Sequence, residues 1–301
     1  MNRAVILIVG LVVIASFPLL SAEAGGTDVL FDLSKEADTL YGNPEVQGDM
    51  LCSMLEGEGI TYAFTERGRS LALYALSSYR ILVIWDPDGP YDENERTAII
   101  SFVEQGGILL FAGTSFYNTP DTIYVNCNEL LTTFGITLVR EQVLDKTDYI
   151  GCHCGTTPLI HTFAEGYFFY DISYVACNHT GRIETVHPAV PIAFGDNDTF
   201  VDLNGNEMHD ENEMIGSIPV MAMSTYGAGV VVAFGTEKVF ERSYFNTKDN
   251  GRFALNLFAD LLYQYPLDGT PAASNTMRYA VGFASVVIVL VIAGVYRHNR
   301  P

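Results

Sequence analysis

The sequence has few positive charges. Its 301 residues include 16 Lys and Arg against 36 Asp and Glu, which gives a formal net charge of −20. A field of that sign repels nucleic acid and anionic lipid headgroups at long range, so both are poor partners. Cations, basic proteins and neutral polymers remain as candidate partners.

Cysteine is also scarce, and its number is odd. The five residues are Cys52, Cys127, Cys152, Cys154 and Cys177. In an oxidising compartment at least one of them stays unpaired. The Cys-His-Cys run at 152–154 lacks the spacing that zinc-binding cysteines usually have, and no second pair follows it. We therefore expect a disulfide from Cys152 or Cys154 to Cys177, with a metal site at 152–154 as the alternative.

Long apolar runs occur only near the two ends of the chain. Residues 1–24 contain one Arg, an unbroken apolar run and an A-x-A motif. This pattern predicts a cleaved secretory signal, with an uncleaved anchor as the alternative. Either way, the chain after it lies outside the cytoplasm. The sequons at Asn178 and Asn197 then predict exposed, glycosylated positions.

The second apolar run, residues 279–296, contains no charged residue. A polar linker (266–278) precedes it and the basic tail 297–301 follows it. The pattern predicts a transmembrane helix with its C-terminus in the cytoplasm, and a buried core helix is the alternative. We expect a single-pass type I protein of the cell membrane with an extracytoplasmic domain, the ectodomain, over 27–265.

The first half of the ectodomain alternates continuous apolar runs with helical patterns. Strands are predicted at 28–34, 60–66, 80–87 and 108–113, and helices at 46–59, 71–79 and 92–107. The last of these helices has Asp92 at a plausible N-cap and Glu95 three residues later. Apolar strands separated by helices indicate a doubly wound, mostly parallel α/β sheet that is covered on both faces.

The second half of the ectodomain is less regular. A β-rich insertion is predicted over about 145–215, followed by a hairpin at 219–235 and a closing helix at 250–262. The buried side of that helix is expected to carry Phe253, Leu257, Phe258 and Leu261.

The order of these segments resembles that of a known group of proteins. The residues that carry the resemblance are "VLFDLS … LSSYRILVIWDP … DENERTAIISFVEQGGILLFAG … NELLTTFGI … GSIPVMAMSTYGAGVVVAFGTEKVF … NGRFALNLFADLL", which span about 28–263. They resemble uncharacterised, membrane-anchored, largely prokaryotic proteins with a class I glutamine amidotransferase-like domain. The resemblance implies a flavodoxin-like sandwich.

Active members of that superfamily use a Cys nucleophile in a G-x-C-x-G turn and a His-Pro-Glu after a late strand. A thiolate activated by a neighbouring imidazole is the chemistry that this arrangement provides. The matching positions here hold Ser115 in place of the Cys, Gly235 in place of the His, and Glu237. The resemblance therefore implies a degenerate site without amidotransferase activity.

The histidines offer no replacement at the carboxyl end of a predicted core strand. They are His153, His161, His179, His187, His209 and His298. A hydrolase that combines Ser115 with a histidine of the insertion stays open as the alternative.

Small ligands bind doubly wound sheets in the crevice at the carboxyl ends of the strands. The predicted lining of that crevice is Ser34, Asp86, Asp88, Thr114, Ser115 and Glu237. The alternative is that these residues only cap helices and complete turns.

The stretch "VDLNGNEMHDENE" has the ligand spacing of an EF-hand calcium loop. Its predicted ligands are Asp202, Asn204, Asn206, Met208 (through its carbonyl), Asp210 and Glu213. Glu207 occupies the position that normally requires glycine, so it must adopt a positive φ or the loop must deform. We expect weak, structural Ca²⁺ binding, and a solvated acidic turn is the alternative.

These patterns favour a non-catalytic, calcium-stabilised ectodomain that binds a protein or glycan partner, or takes part in a membrane assembly. The second hypothesis is a hydrolase that uses Ser115 or the crevice carboxylates. A third is a small-molecule sensor, although the five-residue tail is too short to hold a signalling domain.

Overall fold

A computed structural model describes residues 26–36, 43–113, 120–152 and 155–264. The predicted signal, linker, transmembrane helix and tail lie outside these residues. No helix in the described ranges is long and apolar enough to cross a bilayer.

The described residues form three β-sheets and six α-helices. The strands are β1 (Val29–Asp32), β2 (Tyr62–Phe64), β3 (Ile81–Trp85), β4 (Ile108–Ala112), β5 (Ile136–Leu144), β6 (Tyr149–Cys152), β7 (Gly155–Ile160), β8 (Thr162–Phe163), β9 (Val175–Ala176), β10 (Gly181–Thr185), β11 (Val190–Phe194), β12 (Phe200–Asp202), β13 (Pro219–Tyr226) and β14 (Gly229–Phe234). The helices are α1 (Pro44–Gln47), α2 (Asp49–Gly57), α3 (Glu93–Glu104), α4 (Asp121–Leu131), α5 (Arg242–Phe245) and α6 (Asn250–Gln264).

The main sheet has eight strands in the order β2-β1-β3-β4-β14-β13-β11-β8. Its first five strands pair in parallel, and the last three extend it with antiparallel pairs. Every residue of β1, β3, β4 and β14 is buried, as strands covered on both faces require. The predicted parallel-rich α/β sheet is confirmed, and its parallel part has the flavodoxin-like strand order.

Helices cover both faces of this sheet. Leu55 of α2 and Leu257 of α6 belong to the core on one face, and Ile99 of α3 and Leu130 of α4 belong to the core on the other. The four apolar side chains predicted for the buried side of the closing helix are all at most 1% exposed. The amphipathic patterns therefore predicted α2, α3 and α6.

The N-terminus of α3 forms the predicted capping box. Asp92 Oδ1 accepts a hydrogen bond from Glu95 N at 2.9 Å, and Glu95 Oε2 accepts one from Asp92 N at 2.8 Å. Glu95 is fully buried and lies 2.6 Å from the ammonium of Lys35, which follows β1. The cap therefore also fixes the loop at the end of β1.

The helix predicted at 71–79 is instead two short 3₁₀ turns, Leu71–Leu73 and Leu76–Ser78. Leu71 and Leu76 are both buried in the same core. Side chains five positions apart lie about 140° apart on an α-helix. The chain therefore breaks the helix at extended Tyr74 so that both leucines reach the core.

The β-rich insertion contributes to all three sheets. Its strands β8 and β11 extend the main sheet, β10 and β12 flank β5 in a second sheet, and β6, β7 and β9 form the third. Segments of the insertion thereby reach the carboxyl ends of the parallel strands, where the candidate site lies.

Candidate functional site

Asp32, the last residue of β1, is held by four hydrogen bonds from the protein itself. Its Oδ1 accepts from Ser34 N at 2.9 Å and Thr65 Oγ1 at 3.0 Å. Its Oδ2 accepts from Ser34 Oγ at 3.0 Å and Tyr91 OH at 2.6 Å. With both oxygens occupied and 2% of the residue exposed, Asp32 is a fixed structural group.

Three more carboxyl groups lie beside Asp32 at this edge of the sheet. Asp88 N donates to the carbonyl of Lys35 at 3.1 Å, and Asp86, at φ 45°, donates its N–H to Ala112 O at 3.0 Å. Burial raises the pKa of Glu36 to about 10, assisted by the charges of Asp86, Asp88 and Asp32 and opposed by Arg67. Glu36 is therefore protonated at neutral pH and can donate a hydrogen bond.

Glu237 lies just beyond the carboxyl end of β14. It is fully buried, and the Lys238 ammonium is 2.8 Å from its Oε1 and 2.7 Å from Glu241 Oε1. Burial raises the pKa of Glu237, and the neighbouring ammonium opposes this shift. The carboxyl group is thus occupied by an internal ion pair.

A segment of the insertion, 178–181, packs against the end of β14. Gly181 N donates to Gly235 O at 2.8 Å, and Thr236 Oγ1 donates to Asn178 O at 2.8 Å. These bonds place His179, a histidine of the insertion, beside the candidate site. The pairing of β10 with β5 brings it there, and no local pattern in the sequence signals this pairing.

His179 has two features that are unusual for a histidine. It is 5% exposed, and its φ of 51° lies in the left-handed region. Burial lowers its pKa to about 4, with a further contribution from the charge of Lys238. The imidazole is therefore neutral at physiological pH.

The glycine at the expected histidine position has no room for a side chain. A Cβ on Gly235 would meet the carbonyl oxygen of Gly181 and would lie 2.5 Å from Thr180 Oγ1. Segment 178–181 therefore occupies the space that a histidine at 235 would need.

The structure brings together most of the predicted crevice. Ser34 hydrogen-bonds Asp32, and Asp86 and Asp88 follow β3 two strands away from Glu237. Thr114 and Ser115 lie outside the described residues.

The predicted calcium loop begins at the end of β12. Asp202 Oδ1 accepts from Asn204 N at 3.2 Å and Gly205 N at 2.7 Å, and its Oδ2 accepts from Glu207 N at 2.9 Å. Glu207 has φ 59°, the first of the two outcomes expected for this position. The loop thus wraps around the Asp202 carboxylate.

The other predicted ligands close the same loop. The side-chain nitrogens of Asn204 and Asn206 both donate to Asp210 Oδ2, at 2.7 and 2.9 Å. Glu213, 6% exposed, accepts from Leu203 N and Asp210 N at 2.8 and 2.9 Å. Met208 extends into solvent at 63% exposure, which leaves only its carbonyl as a ligand.

The predicted disulfide and one predicted glycosylation site need correction. Cys177 is a free thiol in the hydrophobic core, 1% exposed, so the predicted disulfide to Cys152 or Cys154 is not formed in this structure. Asn178 is 2% exposed and its Nδ2 donates to Thr157 Oγ1 at 2.6 Å, so it is not accessible for glycosylation. Asn197 is exposed, as its sequon predicted.

No protein-family model matches the sequence, and no curated protein is significantly similar to it. Among solved structures, the fold is similar to the mmIFT52 N-terminal domain at 14% identity and TM-score 0.62, over 77% of this chain and 96% of that one. A thua-like protein from Bacteroides uniformis matches at 12% identity and TM-score 0.49, over 83% and 97%. A cytoplasmic protein from Salmonella typhimurium matches at 13% identity and TM-score 0.46, over 77% and 98%. At such identities the first likeness indicates a shared fold alone.

Proposed function

We propose that the ectodomain is a non-catalytic binding or assembly domain, held at the membrane by the predicted helix 279–296. The observation that carries the proposal is the blocked position at Gly235. An amidotransferase-like site needs an imidazole there, and the backbone of Gly181 fills that space. This observation supports an amidotransferase-like domain whose catalytic site is degenerate.

The state of the remaining polar groups supports the same conclusion. Asp32 is saturated by internal donors, and Glu237 is paired with Lys238. General acid–base catalysis needs a group that can exchange a proton with substrate near neutral pH. With a pKa shifted to about 10, Glu36 can donate a hydrogen bond but exchanges its proton poorly at pH 7.

The charge of the crevice limits its partner. Asp86 and Asp88 follow β3 at its rim, and the whole chain has a net charge of −20. A neutral glycan or a basic protein surface fits this edge, whereas an anionic ligand is repelled.

Affinity purification of the full-length protein from membranes tests the binding function. We expect a specific partner to co-purify and to be lost in Asp88→Lys, which reverses an exposed charge at the rim. Glu93→Lys, an exposed charge in the first turn of α3, is the matched control and should keep the partner. A partner retained equally by both variants, or no partner at all, contradicts the proposal.

We also propose that the loop 202–213 binds Ca²⁺ as a structural ion. The supporting observations are the convergence of Asp202, Asp210 and Glu213 on one loop and the positive φ of Glu207. For a dissociation constant of about 1 mM, 10 mM Ca²⁺ stabilises the folded state by about 1.4 kcal/mol. In a domain of this size that raises Tm by about 3–6 °C.

Thermal unfolding of the full-length protein in detergent, with and without 10 mM CaCl₂, measures this shift. NaCl at the same ionic strength controls for screening. Glu213→Gln should abolish the shift. Glu211→Gln changes an exposed neighbour that is not among the predicted ligands, and it should retain the shift. A parent protein whose Tm does not respond to calcium rules out the site.

The second candidate function is a hydrolase, and the position of His179 favours it. Gly113 N donates to Phe234 O at 2.9 Å, so Gly113, two positions before Ser115 in the sequence, lies beside the end of β14, against which segment 178–181 packs. A neutral imidazole can accept the proton of a serine hydroxyl. If hydrolysis of p-nitrophenyl acetate is lost in both Ser115→Ala and His179→Ala while folding is intact, the hydrolase replaces the binding domain.

A further inference from the structure

Three segments of the insertion bring ligand-bearing side chains together, away from the crevice. Asp148 lies in the turn between β5 and β6, His161 between β7 and β8, and Asp196 just after β11. His161 Nε2 is 3.2 Å from Asp148 Oδ2 and 3.4 Å from Asp196 Oδ2. One ligand atom from each residue lies within 4.8 Å of the others.

Hydrogen bonding alone does not account for this arrangement. Both carboxylates approach the same nitrogen, Nε2, which carries at most one hydrogen. Both distances also exceed the roughly 2.7–2.9 Å of a charge-assisted bond from imidazolium to carboxylate. The imidazole therefore cannot satisfy both oxygens at once.

A bound metal ion accounts for the same distances. Ligand atoms about 2.0–2.1 Å from a tetrahedral zinc ion are separated by about 3.3 Å. The observed 3.2 and 3.4 Å match that separation on both sides of the imidazole. Two carboxylate oxygens and one ring nitrogen form a ligand set that zinc accepts, whereas calcium and magnesium prefer oxygen alone.

The surrounding charges point in the same direction. Asp145, Asp196 and Asp198 also place carboxylate oxygens within 4.8 Å of one another, so a second group of carboxylates shares Asp196 with the first. Among the described residues, no Lys or Arg forms an ion pair with any of these carboxylates. Asp145 is 5% exposed, and its oxygens already accept from Thr199 Oγ1 at 2.5 Å and from Asp148 N at 2.7 Å. Carboxylates crowded without a cation are costly, and a divalent ion offsets that cost.

We propose that Asp148, His161 and Asp196 bind a Zn²⁺ ion. Asp145 is a positioning residue, because it orients the Asp148 backbone and Thr199. The side chains of His161, Asp148 and Asp196 are 34, 35 and 22% exposed, so zinc can enter from solvent. The bound ion would clamp three segments of the insertion, at the opposite end of β12 from the calcium loop.

Isothermal titration of the chelator-treated, full-length protein in detergent with ZnCl₂ tests the site. We expect one zinc ion per chain and at least a tenfold loss of affinity in both His161→Ala and Asp196→Asn. Co²⁺ bound in place of zinc should give the visible absorption of a tetrahedral site, which is lost in the same variants. Thermal unfolding of each variant without metal shows whether it has folded.

Two matched controls identify the source of any binding. His187→Ala removes an exposed histidine elsewhere in the insertion, and the Cys152→Ser/Cys154→Ser variant removes the cysteines near His153. Both should bind zinc as the parent does. The proposal is overturned if zinc does not bind, if His161→Ala binds it normally, or if binding is lost only in the cysteine variant.

Discussion

Glu36 illustrates how a position near the end of a parallel strand changes the pKa of a single residue. Its sequence context, "DLSKEAD", resembles any acidic loop. The fold places it among Asp32, Asp86 and Asp88, and burial together with these charges raises its pKa to about 10. No pattern local to residue 36 predicts this, because Asp86 and Asp88 are brought to it by strand pairing.

The shifted pKa of Glu36 predicts a pH-dependent effect of Glu36→Gln. The folded-state pKa lies above the unfolded value of 4.5, so the stabilising contribution of Glu36 is complete below pH 4.5 and falls as the pH rises towards 10. Glutamine does not titrate. The variant should therefore gain stability relative to the parent as pH increases, by up to about 1.4 kcal/mol for each pH unit between 4.5 and 8.

Urea denaturation at pH 4.5 and pH 8 measures this gain. Glu58→Gln is the exposed control. Equal stability differences at the two pH values would show that Glu36 titrates normally.

The contact between the segment around His179 and Gly235 could not be predicted from the sequence. The resemblance expects a histidine at position 235, where the sequence has a glycine directly after β14. The sequence did not reveal that segment 178–181 takes up the space, since the contact joins residues more than fifty positions apart. The burial of Asn178 and Cys177 follows from the same long-range packing.

At the scale of elements, the parallel strands and most of their covering helices were predictable, whereas the strand pairing within the β-rich insertion was not. Strands such as β3 and β4 are continuous apolar runs because both faces are covered. In the insertion, β8 and β9 have only two residues each, so their partners are set by distant segments rather than by their own pattern. The 3₁₀ turns around Leu71 and Leu76 carried a readable signal, namely a spacing that one α-helix cannot bury on one side.

The capping box of α3 predicts a large effect of Glu95→Ala. The buried carboxylate accepts from Asp92 N and from Leu71 N at 3.1 Å, and it pairs with Lys35. Burial alone would raise the pKa of Glu95, but these partners outweigh it and lower the pKa. Removal of Glu95 leaves Lys35 without its anion, so we expect a loss of about 3–5 kcal/mol in the free energy of unfolding.

Chemical denaturation of Glu95→Ala at pH 7 measures this loss, and Glu93→Ala, exposed in the same turn, should change stability by less than about 0.5 kcal/mol. Because the folded-state pKa is lowered, the contribution of Glu95 is present above pH 4.5 and is lost as the pH falls below it. The free energies of unfolding of the two variants should therefore become similar at acidic pH. Comparable losses at pH 7 would contradict the role of the cap.

At the scale of the whole molecule, the net charge of −20 sets a general response to salt. Like charges repel in the compact state, and salt screens them. Raising NaCl from 50 to 500 mM should increase Tm by a few degrees, since each 1 kcal/mol of relieved repulsion corresponds to about 2–4 °C in a domain of this size. Differential scanning calorimetry checks this, and a Tm that falls with salt would show that attractive ion pairs dominate.

The main sheet begins with β2, three residues long, and finishes with β8, two residues long. An exposed outer strand can recruit a strand from another molecule through its unpaired N–H and C=O groups. Here an incoming chain finds only two or three residues to pair with, too few to hold it. Copies crowded together at high concentration can therefore meet through their side chains, but the edges of the main sheet offer too little backbone to extend it from one copy to the next.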